Sequence, residues 1–315
     1  LLIEKTIMRR NYFLVVMVLA LLAVGCTKET SVEKGNANNA GNNGGTGSGG
    51  NTNGDLLVKG VTVSGSGTTK DTNTVTLQWN AAKQLVQYKS TGKNNGIPVD
   101  LLYDISRDAN GYITKVFVTP MPSSGTDSIV HYPYYVTGSK RLKYVLSVTY
   151  GSILGDMKDS TVFVYNSNGQ VTSREIFSEN ILSSVMASSS KQAFTYDAAG
   201  NLVKAVSDIA DLFTGTYGTQ QTILTQQYDN HKAAAVLGEE SFIVSQFMGL
   251  SSPSNMVKTT TEYKTAGVAT QTSSGTFTQF QFNTFDRPTV LMVTAVSTTP
   301  VGTNSTTSNA TYYYQ

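Results

Sequence analysis

Residues 161–176 read TVFVYNSNGQVTSREI, and this pattern decides the class of fold. Two runs rich in Val, Thr and aromatic residues, Thr161 to Tyr165 and Val171 to Ile176, flank Asn168-Gly169. Such runs suit a pleated, half-buried surface. An Asn-Gly pair between them predicts a hairpin with a two-residue type I′ turn. Both central residues of that turn need positive φ, which Gly reaches without steric cost. Asn110-Gly111 repeats the signal.

Period-two alternation recurs along the chain. Val75, Leu77 and Trp79 interleave with Thr74, Thr76, Gln78 and Asn80. Leu142, Tyr144, Leu146, Val148 and Tyr150 interleave with Lys143, Val145, Ser147 and Thr149. In a strand, each apolar series is expected on a buried face. Two stretches break the pattern, Asn180 to Ser190 and Lys232 to Met248, and each is expected to hold a short helical loop. Gly238 interrupts the second one's apolar stripe.

The chain has 315 residues, 39% hydrophobic and 14% charged, which allows a sizeable core in one or two domains. Seventeen Tyr, with abundant Thr, Ser and Val, favour strands. One Cys excludes an intramolecular disulfide framework and a cysteine-based zinc site, and two His leave little for a metal centre. No cofactor is expected.

The N-terminal segment reads as an address. Arg9 and Arg10 precede an apolar run from Tyr12 to Val24, which suits a signal-peptide core and is too short to span a bilayer as a helix. The run ends in Ala23-Val24-Gly25-Cys26, which resembles the lipobox of bacterial lipoproteins. That resemblance implies cleavage after residue 25 and lipid attachment at Cys26. Met8 is a plausible start, with Leu1 to Ile7 upstream of it. Removing residues 1–25 leaves 20 basic and 20 acidic residues, so nothing supports nucleic-acid binding. From Gly35 to Asp55 the chain is almost wholly Gly, Asn, Thr, Ser and Ala. Residues 26–55 are therefore expected to form a disordered tether, about 25 Å in r.m.s. reach over the Gly/Asn-rich part. Gly45 to Gly50 formally matches G-x-G-x-x-G, but no strand or helix flanks it. Residues 56–315 are expected to form a single antiparallel β domain.

Tyr103, Tyr134, Tyr165, Tyr196, Tyr228 and Tyr263 recur 31, 31, 31, 32 and 35 residues apart. Gly follows four residues after Tyr134, Tyr165, Tyr196 and Tyr263. An aromatic ending one strand, a Gly turn and a returning strand would give a meander. Tyr165 to Val171 and Tyr196 to Leu202 look like YD repeats, with partial copies at Tyr103-Asp104 and Tyr228 to Lys232. Together with Gly249 to Pro253 and Ala310 to Tyr314, the layout from Leu101 to Gln315 resembles a family of secreted lipoproteins from gut-associated Gram-negative bacteria. That family is described as a domain of unknown function with a porin-like fold, and residues 56–100 fit it poorly. The resemblance implies an all-β, strongly curved antiparallel sheet of hairpins, a porin-like partial barrel, and no known activity. It also implies an outer-membrane or cell-surface location.

Residues that could carry chemistry are few. His131 and His231 are the only imidazoles, expected at a strand end and in an exposed turn, and no G-x-S-x-G elbow accompanies them. Asp156 with Asp159, and Glu239 with Glu240, are the candidate carboxylate pairs. Asp104, Asp197 and Asp229 follow repeat tyrosines and are expected to cap turns. Tyr132, Tyr134, Tyr135, Tyr312 to Tyr314 and Trp79 could stack on sugars or anchor a protein, or fill the sheet core. The leading reading is a lipid-anchored envelope protein, not an enzyme, that binds a polysaccharide or protein or supports an assembly. The alternatives are a glycan-degrading or other hydrolase at the cell surface, and a membrane-embedded barrel.

Overall fold

The computed structural model describes residues 55–64, 70–94, 97–119, 128–150, 156–179, 185–211, 215–243 and 252–315. Cys26, the leader, the tether up to residue 54 and Gly249 to Ser251 lie outside the described residues. The first half of the fold runs β1 (Leu57–Ser64), β2 (Asp71–Trp79), β3 (Leu85–Asn94), β4 (Ile97–Arg107), β5 (Ile113–Thr119), β6 (Ser128–Tyr135), β7 (Leu142–Tyr150) and β8 (Met157–Tyr165). The second half runs β9 (Val171–Glu179), β10 (Met186–Tyr196), β11 (Leu202–Ile209), β12 (Gln220–Lys232), β13 (Ser254–Thr265), β14 (Val268–Phe282), β15 (Pro288–Thr299) and β16 (Gly302–Tyr314). One helical turn, α1 (Glu240–Ile243), lies between β12 and β13.

The sixteen strands close into one antiparallel barrel. Strand β1 pairs with β2 on one side and with β16 on the other, Val61 opposite Thr74 and Thr311. The ring is therefore complete, where an open partial barrel was expected. An open sheet would leave two strands with unpaired N–H and C=O groups, and the β1–β16 ladder satisfies both. Residues 56–100, which fit the family resemblance poorly, supply β1 to β3 and the start of β4 in this same ring.

Five hairpins at one end share a five-residue turn: Asn80 to Gln84, Asp108 to Tyr112, Asn166 to Gln170, Asp197 to Asn201 and Asn283 to Arg287. In each, the first N–H donates to the fifth carbonyl and the fourth N–H to the first carbonyl. The leading Asn or Asp side chain accepts the fifth N–H as well. The fourth residue is left-handed, with φ of 58° at Lys83, 80° at Gly111, 81° at Gly169, 88° at Gly200 and 65° at Asp286. This is a type I turn closed by a bulge, not the two-residue type I′ turn expected at Asn168-Gly169 and Asn110-Gly111. Only the glycine of each pair has positive φ.

Alternation sets an apolar inner face. Leu77, Leu101, Tyr103, Ile105, Val116, Val118, Val145, Phe163 and Phe194 are buried in one cluster, with Val75 and Trp79 packed against it. In β7 the expected apolar series does not all turn inward. Tyr135 pairs with Leu142 and Tyr134 with Tyr144, and a bulge intervenes. Leu142 and Val145 join the core, so Tyr144, Leu146, Val148 and Tyr150 take the opposite face, where Val148 and its partner Val130 are nevertheless buried. One extra residue has flipped the strand.

Of the two expected helical loops, the first needs correction and the second holds a single helical turn. Residues 186–190 belong to β10, and 180–184 lie outside the described residues. Lys232 ends β12, α1 covers only Glu240–Ile243, and 244–248 lie outside the described residues.

Candidate functional site

The end of the barrel that carries the five-residue turns is built from a repeated bond. The last side chain of an even-numbered strand reaches across the hairpin to the first carbonyl of the strand before it. Trp79 Nε1 donates to Leu57 (2.7 Å), Tyr165 to Leu142 (3.0 Å), Tyr196 to Val171 (3.0 Å) and Tyr314 to Pro288 (2.7 Å). Tyr228, a few residues before the end of β12, bonds Leu202 at 2.9 Å, and Tyr135 bonds Ile113. Arg107 takes the place in β4 and bonds Leu85. Burial pushes the Tyr165, Tyr196 and Tyr228 hydroxyls up to about 12, so they stay donors throughout the physiological range.

The repeat tyrosines divide accordingly. Tyr165, Tyr196 and Tyr228 belong to the ring. Tyr134 faces out while its neighbour Tyr135 makes the bond. Tyr103 is a core residue of β4, and Tyr263 lies inside β13.

Residues 233–243, which follow β12, fold into this end as a plug. Ala235, Leu237 and Ile243 are buried in the main core, and Phe242 lies edge-on between Phe163 and Phe194, with centroids at 6.4 and 6.3 Å. Two arginines from the inner wall hold it. Arg107 contacts Glu239 (3.3 Å) and Glu240, both carboxylates only slightly exposed. Burial holds the Glu240 carboxyl above its ordinary range against the pull of Arg107. Arg174 donates to the Phe242 carbonyl at 3.3 Å and to Gln192 at 2.6 Å, and its burial brings the guanidinium down to about 10. A third, Arg287, ties the Ala233 carbonyl to Asp55, where the chain enters the barrel. Beside the plug is a cavity of about 150 Å³, lined by Trp79, Lys83, Leu85, Arg107, Lys140 and Glu239 among others. Glu239 and Glu240, one candidate catalytic pair, are thus spent on holding the plug.

The remaining candidates scatter. His131 sits inside β6, not at its end, and shares a 2.8 Å hydrogen bond with Ser147. Ser147 is opposite Asp159 in the next strand, so the register reads His131, Ser147, Asp159. A hydrolase triad needs the imidazole in the middle, so this order does not activate the hydroxyl. Asp156, the other half of its pair, precedes β8. His231 lies on β12, six strands from β6, paired with Asp286 at 2.6 Å and stacked on Phe282 at 3.9 Å. Asp197 caps its turn as expected, and Asp229 accepts the His231 N–H. Asp104 does not cap a turn: it lies within β4 and accepts from Gln87 at 2.8 Å. No local sequence pattern marks Arg107 and Arg174, because each acts through a partner distant in sequence.

The outer wall is charged. Glu175, Lys191, Asp208, Gln221 and Lys264 pair in register across β9 to β13. Lys191 contacts Glu175 at 3.5 Å, and Gln221 donates to Asp208 at 2.9 Å. Inside the same strands run Arg174, Gln192, Ser207, Thr222 and Tyr263.

The closed ring now has a counterpart among solved structures. The fold is porin-like. A porin-like protein from Bacteroides uniformis superposes with a TM-score of 0.50 at 11% identity, over 82% of this chain and 98% of that one. A porin-like protein from Bacteroides vulgatus gives a TM-score of 0.48 at 9% identity, over 82% and 99%. No protein-family model matches the chain, and no curated protein does. At such identity the likeness to the first structure extends to the all-β barrel fold alone.

Proposed function

We propose that this chain is a lipid-anchored protein of the bacterial outer membrane or cell surface, whose barrel stands in water and acts by binding or by supporting an assembly. The observation that carries this reading is the charged belt of Glu175, Lys191, Asp208 and Lys264 on the outer wall. In a bilayer-embedded barrel those positions would face hydrocarbon, at a cost of about 2–4 kcal/mol for each Lys near the midplane. The plug at the turn end adds support, because it fills that end of the lumen with Leu237, Phe242 and Ile243 in place of an aqueous channel. The anchor rests on Cys26 and the apolar run before it.

The test is partitioning. With its acyl groups removed, the folded chain should enter the aqueous phase of a Triton X-114 separation and give no conductance in a planar bilayer. A barrel that stays with detergent and conducts would overturn this reading in favour of a membrane-spanning one.

A further inference from the structure

We propose that the turn end of the barrel is a docking surface for a lipid bilayer containing anionic phospholipid. The proposal rests on the lipid-anchor reading for its setting and on the structure for its geometry. The described chain enters the barrel at this end, where Arg287 holds Asp55 at 2.5 Å. Any anchor at Cys26 therefore pulls on this end first.

The exposed aromatic residues among the described residues are Tyr134, Phe285 and Tyr313, and all three lie here. Tyr134 and Val136 stand at the β6–β7 turn and Val164 near the end of β8; Phe285 and Tyr313 stand across the ring at β14 to β16. Val236, exposed on the plug, lies in the same end. Amphipathic aromatics flanked by lysines are the side chains that settle at a membrane–water interface.

Charge points to the same occupant. Lys59 sits over the Tyr313 ring at 5.5 Å and Lys140 over Tyr112 at 5.4 Å, both in reach of the rim. Lys83, Lys143 and Lys232 are exposed nearby, and no ion pair joins any of these five lysines to a carboxylate among the described residues. The acids of this end are engaged: Asp55 with Arg287, Glu239 and Glu240 with Arg107, Asp286 with His231, and Asp108 and Asp197 within their turns. Asp108, Asp197 and Asp229 keep their charge while bonding to backbone and amide N–H groups, but the five lysines outnumber these carboxylates on the rim, which favours an anionic headgroup layer. The opposite end would then face away from the membrane.

The chain's single tryptophan, Trp79, sits at this end and reports the distance. The mature acylated chain is reconstituted on vesicles of phosphatidylcholine with phosphatidylglycerol and a dansyl-labelled headgroup lipid. Energy transfer from Trp79 should be strong, should weaken at high salt, and should fall roughly twofold or more when Tyr134, Phe285 and Tyr313 are together replaced by Ser. Single Phe285→Ser and Tyr134→Ser variants keep the test readable if the triple variant misfolds. Flotation of the same samples reports the anchor separately. An acylated chain that floats but shows equal transfer with and without the substitutions overturns the docking surface and leaves the anchor standing. Transfer by a chain that carries no acyl group supports the docking surface and shows that it acts without the anchor. Loss of transfer on dilution, with a cross-linked dimer present, would assign the rim to a second copy of the chain and overturn the proposal.

Discussion

The indole N–H of Trp79, at the end of β2, donates to the carbonyl of Leu57, at the start of β1, across 2.7 Å. The same reach recurs from Tyr135, Tyr165, Tyr196 and Tyr314, with Arg107 and Tyr228 as variants. Each bond satisfies a carbonyl at the mouth of the barrel, where the ladder ends and the inner wall excludes water. The ring also fixes the turn end on which the plug closes.

Tyr196→Phe should therefore cost about 1 kcal/mol, because it leaves the Val171 carbonyl without its donor while keeping the packing. Tyr134→Phe, on the outer wall, should be neutral. Urea midpoints of the two variants check this, and equal midpoints would show that the ring bonds contribute nothing.

Gly169 and Lys83 occupy the same position in two copies of one turn, at φ of 81° and 58°. Gly169→Val should cost about 1–2 kcal/mol, since a β-branched residue is strained in the left-handed region. Its Cβ would also meet Arg141 Nη2 at 3.0 Å, a side-chain tip that can move. Lys83→Gly should gain a few tenths of a kcal/mol or lose nothing, as relief of strain offsets the added freedom of the unfolded chain. Thermal midpoints moving the other way in either variant would contradict the shared turn.

How much of this was legible depends on range. The hairpin at Gly169 and the inward face of Val75, Leu77 and Trp79 follow from chemistry within a few residues, and the sequence shows both. Closure of the ring depends on Val61 meeting Thr311, and no local pattern announces a pairing that distant. The bulge at Leu142 and Tyr144 inverts β7 without any Gly or Pro to mark it. The tyrosine period marks equivalent positions only at Tyr165, Tyr196 and Tyr228, since Tyr103 lies in the core of β4 and Tyr134 faces out beside the bonding Tyr135. It loses its meaning at Tyr263, because the β12–β13 connection carries the plug. Arg107 finds Glu239 and Glu240 more than a hundred residues away, so the clamp was unreadable and the two carboxylates looked like a free pair.

Thr259 and Thr261 point successive hydroxyls into the inner wall of β13, buried and without a partner among the described residues. A dry, unpaired hydroxyl is a cost that an isosteric methyl removes. Thr261→Val should raise stability by about 1 kcal/mol, read as a higher urea midpoint. A lower midpoint would mean that the hydroxyl has a partner.

The chain's two histidines should titrate in opposite directions from the ordinary 6.5. Burial pulls His131 down to about 4. The unfolded chain therefore binds more protons between pH 6.5 and 4, and stability falls as pH drops through that window, by on the order of 2 kcal/mol. The hydrogen bond that the His231 ring donates to the Asp286 carboxylate raises His231 and in turn lowers Asp286. That exposed pair holds from above the lowered carboxylate value up to the raised imidazole value, and its contribution is lost as pH rises further. Imidazole proton signals followed against pH should resolve one titration near 4 and one above 6.5. A His131 that titrates at 6.5 would show that water reaches its ring.

The last prediction concerns Ser147, the hydroxyl nearest to a base on the inner wall. An activated serine needs an imidazole that is basic near neutral pH and oriented through its second nitrogen. His131 meets neither demand. It is held down to about 4, and among the described residues only Ser147 bonds its ring. Asp159 lies on the far side of Ser147 in the register, so the order places the hydroxyl, not the imidazole, between the other two groups. A fluorophosphonate probe should leave the protein unlabelled, and Ser147→Ala should keep the unfolding free energy from urea titration within about 1 kcal/mol of the parent. Labelling of the parent that disappears in Ser147→Ala, with the fold intact, would identify a nucleophile on the inner wall and replace the binding role with a hydrolytic one.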